Sequence, residues 1–241
     1  NNQPASITTT LPVVSPSQNG PGGTGATIHV SFDRYGRPLW SKDADGFLAY
    51  SAYDRATGAV VRQIVDVNTS SGSDFASLPF GWGTPAAGGL HLKTDTLVDS
   101  LGRPTQLTDP HDKVSYFTYG ASSDSLRESR IYSPTGVPVT IMQEDWAQGF
   151  VQTLTMEAPG THTGSEPLTN VKSLSRAYLD SAGRIYWSDR YWNLAGLSNY
   201  SEKNLGQVKT HYYRTEYGFD QAGRPDRVRN AVGTVTRIVY D

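Results

Sequence analysis

Phe32-Asp33-Arg34-Tyr35-Gly36-Arg37 is the stretch on which the reading of the fold rests. The same arrangement, hydrophobic-Asp-x-x-Gly-Arg, returns as Val98-Asp99-Ser100-Leu101-Gly102-Arg103, Leu179-Asp180-Ser181-Ala182-Gly183-Arg184 and Phe219-Asp220-Gln221-Ala222-Gly223-Arg224. An Asp side chain accepts the backbone N–H two residues on and a Gly supplies positive φ, so each occurrence reads as a strand running into a tight turn and at once into a second strand. In every occurrence a Tyr lies 21 residues after the hydrophobic position, at Tyr53, Tyr119, Tyr200 and Tyr240. Agreement at one spacing predicts a tandem repeat, and repetition decides architecture ahead of local propensity. In the first unit the second strand, Arg37 to Lys42, breaks at Asp43-Ala44-Asp45-Gly46 and is followed by Phe47 to Tyr53, so each unit is a pair of strands and two turns.

Composition agrees. The 241 residues include 14 Tyr, 5 Trp, 24 Gly and 14 Pro with only 18% charged residues, the vocabulary of strands and turns. No stretch sustains the apolar i, i+3, i+4, i+7 pattern of a helix, and an all-β chain is expected. With no cysteine, disulfide scaffolds, thiolate metal sites and cysteine nucleophiles are excluded. A net charge of −2 without a basic stripe argues against nucleic acid, and no apolar run approaches the ~20 residues of a membrane span. The chain begins Asn1-Asn2-Gln3, as a processed secretory protein or an excised fragment would.

The repeat resembles the YD-repeat, or Rhs-repeat, family, whose units read Tyr-Asp-x-x-Gly-Arg, a short gap to a Gly turn, then Tyr-x-Tyr-Asp. The resemblance covers about residues 27–66, 92–120 and 171–241; Val98 and Leu179 replace the aromatic, and Tyr119-Gly120 and Tyr200-Ser201 lack the second Asp. It implies tandem two-stranded repeats forming a curved or spiralling antiparallel sheet, of the kind that encloses toxins in bacterial Rhs and toxin-complex proteins and serves adhesion in teneurin-like shells. The family's core-closing Asp-Pro-x-Gly-Leu is not present: Asp109-Pro110-His111-Asp112 lacks the Gly.

Outside the clear units, residues 121–170 keep echoes such as Tyr132-Ser133-Pro134-Thr135-Gly136, and Val137 to Gln143 and Phe150 to Met156 alternate as half-buried strands do. Two insertions rich in Gly, Ser and Pro, near 68–89 and 157–168, read as surface loops. Residues 1–27 form a separate segment: Ser15 to Thr27 is a flexible linker, and the β-prone Ser6 to Val14 ahead of it has no partner in its own neighbourhood. Two domains are thus expected, 1–27 and a repeat domain over 28–241.

Candidate site residues follow. Asp33, Asp99, Asp180 and Asp220, with Gly36, Gly102, Gly183 and Gly223, are expected to cap turns rather than to ligate metal; Arg37, Arg103, Arg184 and Arg224 are expected to pair with carboxylates or stack on the repeat tyrosines. The histidines show no ligand spacing, and no nucleophile or phosphate-loop motif is present, so neither catalysis, metal nor cofactor is expected. Trp82, Tyr186, Trp187 and Trp192 are the candidates for stacking on sugar rings. Ile7, Leu11 and Val13 mark a candidate donor strand that covers its own sheet edge or adds to a neighbouring copy. The expected function is a non-enzymatic, secreted or cell-surface structural or adhesive module that associates with itself or another surface protein, with filament growth by strand donation; the alternatives are a carbohydrate-binding module and a fragment of a toxin-enclosing shell.

Overall fold

The computed structural model describes residues 4–18, 22–120, 126–133 and 139–240. The expected Pro134-Thr135-Gly136 turn, the strand start Val137-Pro138, Gly20 and Pro21 of the linker, and Asp241 lie outside the described residues. The fold is all-β: sixteen antiparallel strands taken in the order in which the chain delivers them, with a single three-residue 3-10 turn at Pro16–Gln18 among the described residues.

The chain divides into two compact units, Asn1–Val114 and Ser115–Asp241. The first carries β1 (Ser6–Thr10), β2 (Thr27–Phe32), β3 (Pro38–Lys42), β4 (Leu48–Tyr53), β5 (Val60–Val65), β6 (Leu92–Val98) and β7 (Pro104–Thr108). The second carries β8 (Val114–Tyr119), β9 (Leu126–Tyr132), β10 (Val139–Asp145), β11 (Phe150–Met156), β12 (Val171–Leu179), β13 (Ile185–Tyr191), β14 (Tyr212–Phe219), β15 (Pro225–Arg229) and β16 (Val235–Arg237). The boundary falls inside the region 28–241 that the repeat pattern treats as one domain.

Each motif builds the same turn. Asp33 N–H donates to Arg37 O and Gly36 N–H to Asp33 O; Asp33 Oδ1 accepts the N–H groups of Tyr35 and Arg37 at 2.8 and 3.0 Å, and Oδ2 accepts Arg37 Nε at 2.7 Å. Asp99–Arg103, Asp180–Arg184 and Asp220–Arg224 repeat this staple, with φ of +76° to +80° at the four glycines. A register shift precedes each Asp, between Ser31/Phe32, Leu97/Val98, Tyr178/Leu179 and Gly218/Phe219, so every staple closes over a β-bulge. Turns at Asp43, Asp109 and Asn230 use the same side-chain cap without the Arg.

Of the two places open to the N-terminal strand it takes the chain's own sheet edge: β1 pairs antiparallel with β2 over Ser6↔Ser31 to Thr10↔Thr27, so Ile7 sits opposite Val30. Leu11 extends the pairing through its N–H to Ala26 O, while Val13 lies beyond it, exposed. The insertions, by contrast, are corrected: they are not mere surface loops. A single sheet leaves one apolar face uncovered, and in each unit inserted loops cover it. Residues 66–91 lay Val67, Phe75, Leu78 and Trp82 over Trp40, Leu48, Tyr50 and Ile64. That loop is closed by Asp66, whose carboxylate accepts the N–H groups of Gly89 and Leu90 at 2.7 and 2.9 Å; a Cβ at Gly88 would stand 2.6 Å from Asp66 Oδ1, which reserves the position for glycine. In the second unit, Ala158 and Leu168 of the 157–170 loop, with Leu194, Leu197, Tyr200 and Leu205, pack on Tyr132, Val139, Ile141, Leu154, Met156, Leu174, Tyr191 and Tyr212.

The loop at 192–211 is a third insertion that the repeat pattern passes over. It also corrects one repeat tyrosine. Tyr53 and Tyr240 each donate their hydroxyl at 2.7 Å to the carbonyl of the Pro after the staple, Pro38 and Pro225, and lie under its Arg, with Arg37 and Arg224 Cζ 4.3 and 4.2 Å from the ring centres. Tyr119 ends β8 in the second unit. Tyr200 is not in a strand: it is buried in the inserted loop, and Phe219 takes its place, with Arg184 Cζ 4.6 Å from its ring. The 21-residue spacing at Tyr200 is coincidence: the insertion between Tyr191 and Tyr212 carries the expected strand on to Phe219 and leaves Tyr200 inside the loop.

Candidate functional site

On the covered face of the second unit the strands carry apolar residues on either side of one polar position. Register puts those positions in a row: Glu128 opposite Gln143, Gln143 opposite Gln152, Gln152 opposite Arg176, Arg176 opposite Asp189, and Asp189 opposite Arg214. Gln143 Nε2 donates to Glu128, Gln152 Nε2 to Gln143 Oε1, Arg176 Nε to Gln152 Oε1 at 2.8 Å, and Arg214 binds Asp189 through two bonds of 2.7 and 2.6 Å. Burial opposes the Arg214 charge, but the Asp189 carboxylate outweighs it and its pKa is raised. Because a one-residue slip flips every side chain of a strand, this row fixes the register of β9 to β14.

The row also holds the loops. Arg176 donates to the carbonyls of Tyr200, Glu202 and Lys203, and Gln152 Nε2 reaches Tyr200 O at 2.9 Å. One row above, Arg130 NH1 donates to Glu166 O at 2.7 Å, and the buried Glu166 carboxylate accepts Tyr132 Oη, Thr161 Oγ1 and the N–H groups of Thr163 and Gly164. His162 stacks on Tyr116 with ring centres 4.3 Å apart. Sequence reasoning missed Arg130, Glu166, Arg176, Asp189 and Arg214; the signal for the row was the apolar-x-polar-x-apolar spelling of Phe150-x-Gln152-x-Leu154, Leu174-x-Arg176-x-Tyr178 and Trp187-x-Asp189-x-Tyr191.

Burial pushes the Glu166 pKa up, but hydrogen bonds from Tyr132 and Thr163 overcome it and hold the carboxyl well below its ordinary range. The backbone N–H of the arginine four residues on does the same at Asp99, Asp180 and Asp220. At Asp33 burial acts upward first, and the Arg37 bonds prevail. Depressed carboxylates contribute stability that is present above the unfolded-state pKa and lost as pH falls towards the folded one. The urea midpoint is therefore expected to be level from neutral pH to about 5 and to fall steeply below about 4.5. Glu166→Gln should lower the neutral plateau and make the acid fall shallower; a midpoint unchanged down to about pH 2.5 contradicts the assignment.

In the first unit an open groove of about 820 Å³ lies beside the covering loop, lined by Ala52, Arg62, Asp74, Phe75, Asp95 and Leu97. Its charges are mutually satisfied: Arg62 is bidentate to Asp95 and donates to Asp74 O at 2.9 Å, while Asp74 accepts from Lys93 and lies 3.2 Å from His91 Nε2. Among the described residues no group of three or more His, Asp or Glu could hold a metal ion.

The four sugar-stacking candidates occupy different settings. Trp82 packs against the Trp40 core and meets His29 edge-on at 6.1 Å. Trp187 lies on the covered face 4.0 Å from Arg214 Cζ, and Tyr186 packs against it at 4.8 Å. Trp192 is 55% exposed and stacks on Tyr213, itself 51% exposed, at 6.0 Å and 25°.

No protein-family model matches the chain, and no curated protein matches its sequence. Among solved structures it is similar to the crystal structure of TcdB2-TccC3, at 16% identity and a TM-score of 0.42 over 90% of this chain and 12% of that one. It is similar to TcdB2-TccC3-Cdc42 at 16% identity and a TM-score of 0.41, over 90% and 11%. Against a Photorhabdus luminescens Tc holotoxin pore carrying TccC3-D651A the values are 14% and 0.23, over 90% and 14%. The chain thus spans only 11 to 14% of the length of the chains it matches.

Proposed function

We propose that this chain is a non-enzymatic, extracellular structural module of the YD-repeat kind, a length of β-sheet wall whose partners are protein surfaces. The observation that carries this reading is the fourfold Asp–Arg staple over a β-bulge, a device that serves to repeat a hairpin. It is supported by the use of charge: Arg37, Arg103, Arg184 and Arg224 close turns, and Arg62, Arg130, Arg176 and Arg214 join strands or tie loops down. Toxin enclosure and adhesion are the two uses that the family resemblance offers such a wall.

Negative-stain electron microscopy with light scattering, on the full chain and on the chain lacking residues 1–14, tests the reading. A structural module gives the same discrete folded particles in both. Fibres formed by the full chain and abolished by the deletion support the finer reading, in which β1 leaves β2 and pairs with another copy. A chain that is unfolded and heterogeneous in isolation overturns the module.

A further inference from the structure

The face of the second unit opposite the covering loops presents its own row. Register places Met142 opposite Thr153, Thr153 opposite Ser175, Ser175 opposite Arg190, and Arg190 opposite Tyr213. Trp192, two residues beyond Arg190, stacks on Tyr213, and its backbone N–H donates to His211 O at 3.0 Å, which extends the β13 ladder. Ser175, Arg190, Trp192 and Tyr213 are all exposed. Arg130, Arg184, Arg214, Arg224 and Arg229 of this unit are engaged by carboxylates, whereas among the described residues no carboxylate lies in ion-pair range of Arg190. On the β10 to β12 side of this row, lined by Met142, Glu144, Val151, Thr153, Ser175 and Ser188 but not by Arg190, Trp192 or Tyr213, lies a trough of about 260 Å³.

Two large aromatic rings held half in water and an unpaired guanidinium beside small hydroxyl residues make a defined recognition surface. Aromatic faces pack on the C–H-rich face of a pyranose, and a guanidinium presents a planar fork to a carboxylate. Hydrophobic peptide would use the rings but not the guanidinium; a neutral sugar would leave it unmatched. With a net charge of −2, the chain offers no general attraction for anions, so capture has to be local.

We propose that Trp192, Tyr213 and Arg190 form a binding site for a carboxylated saccharide, with the pyranose against the rings, its carboxylate on Arg190 and its hydroxyls towards Ser175. The site is independent of the structural-module reading, which stands or falls by assembly.

The test is calorimetric titration of the full chain with oligogalacturonate and with sialyllactose, using methyl-esterified oligogalacturonate and lactose as uncharged counterparts. Saturable binding of at least one acidic sugar, tighter than its neutral counterpart, is expected. Trp192→Ala and Tyr213→Ala should each weaken it by about tenfold or more, while Arg190→Gln abolishes the preference for the acid. All three side chains are exposed, so an unchanged urea midpoint certifies the fold of each variant. Lack of saturable binding to both acidic sugars overturns the proposal, as does binding that the three substitutions leave unchanged or a preference that survives Arg190→Gln.

Discussion

Arg176→Met is expected to destabilise the second unit by about 2–4 kcal/mol, the cost of leaving buried acceptors without their donor. Arg176 is only 2% exposed, and its guanidinium lies 4.5 Å from the Phe150 ring centre. Methionine keeps the apolar stem but leaves the carbonyl of Glu202 without its donor and that of Lys203 with Tyr178 Oη alone, and Gln152 Oε1 loses its Nε–H partner. Each polar group buried without a partner costs about 1–3 kcal/mol. Asp189 keeps Arg214, so the loss is concentrated on the loop. Urea denaturation should show the drop, and thermolysin should cut between residues 192 and 211 where the native chain resists. Arg176→Lys, a point charge without the planar fork, should fall between the two. If the Met variant stays within about 1 kcal/mol of native and its loop remains protected, the loop is held by Leu197 and Leu205 packing instead.

Trp40→Ala should cost the first unit about 3–5 kcal/mol, the range for emptying a large buried aromatic site. Trp40 is 1% exposed, lies 4.8 Å from Tyr50 and 5.1 Å from Phe75, and donates Nε1–H to Ala76 O at 2.9 Å, so it joins strand to loop both by packing and by a hydrogen bond. Among the described residues the core cluster of this unit holds five buried apolar residues against ten in that of the second, so it has less to lose before it opens. Hydrogen exchange should show amides of β3 to β5 exchanging faster in the variant, with those of β10 to β12 unchanged. A native midpoint for Trp40→Ala would mean that the 66–91 loop is held by its polar ties, Asp66 to Gly89 and Leu90 and Arg62 to Asp74 O, rather than by Trp40.

The hairpins are legible in the sequence because Asp33, Gly36 and their counterparts act within five residues, on their own backbone. The covering layer is not legible. Phe75, Leu78 and Trp82 are dispersed among Ser, Gly and Pro, a composition that ordinarily marks solvent-exposed chain, and nothing local says that the loop folds back over Trp40. Tyr200 misleads for a related reason: a spacing cannot distinguish a strand from an insertion that has pushed the strand further along the chain. The polar row is half legible. Its alternation stands in each strand, but Gln152 and Arg176 become one network only when register brings them side by side. Of the aromatic candidates, exposure selects Trp192, and its companions Tyr213 and Arg190 come from the neighbouring register position and from the same strand.

Within each unit, strands are paired with the strands that precede and follow them in the chain. Such a meander is nearly one-dimensional, each hairpin depending on its neighbours and on the loop above it. Under a pulling force applied at its ends, the hydrogen bonds of adjacent strands are loaded one after another, so the chain should lengthen in small successive steps rather than resist and then fail at once. The same geometry lets a two-stranded unit be duplicated or deleted without re-pairing the rest, and lineages carrying such sheets can change their length by whole hairpins.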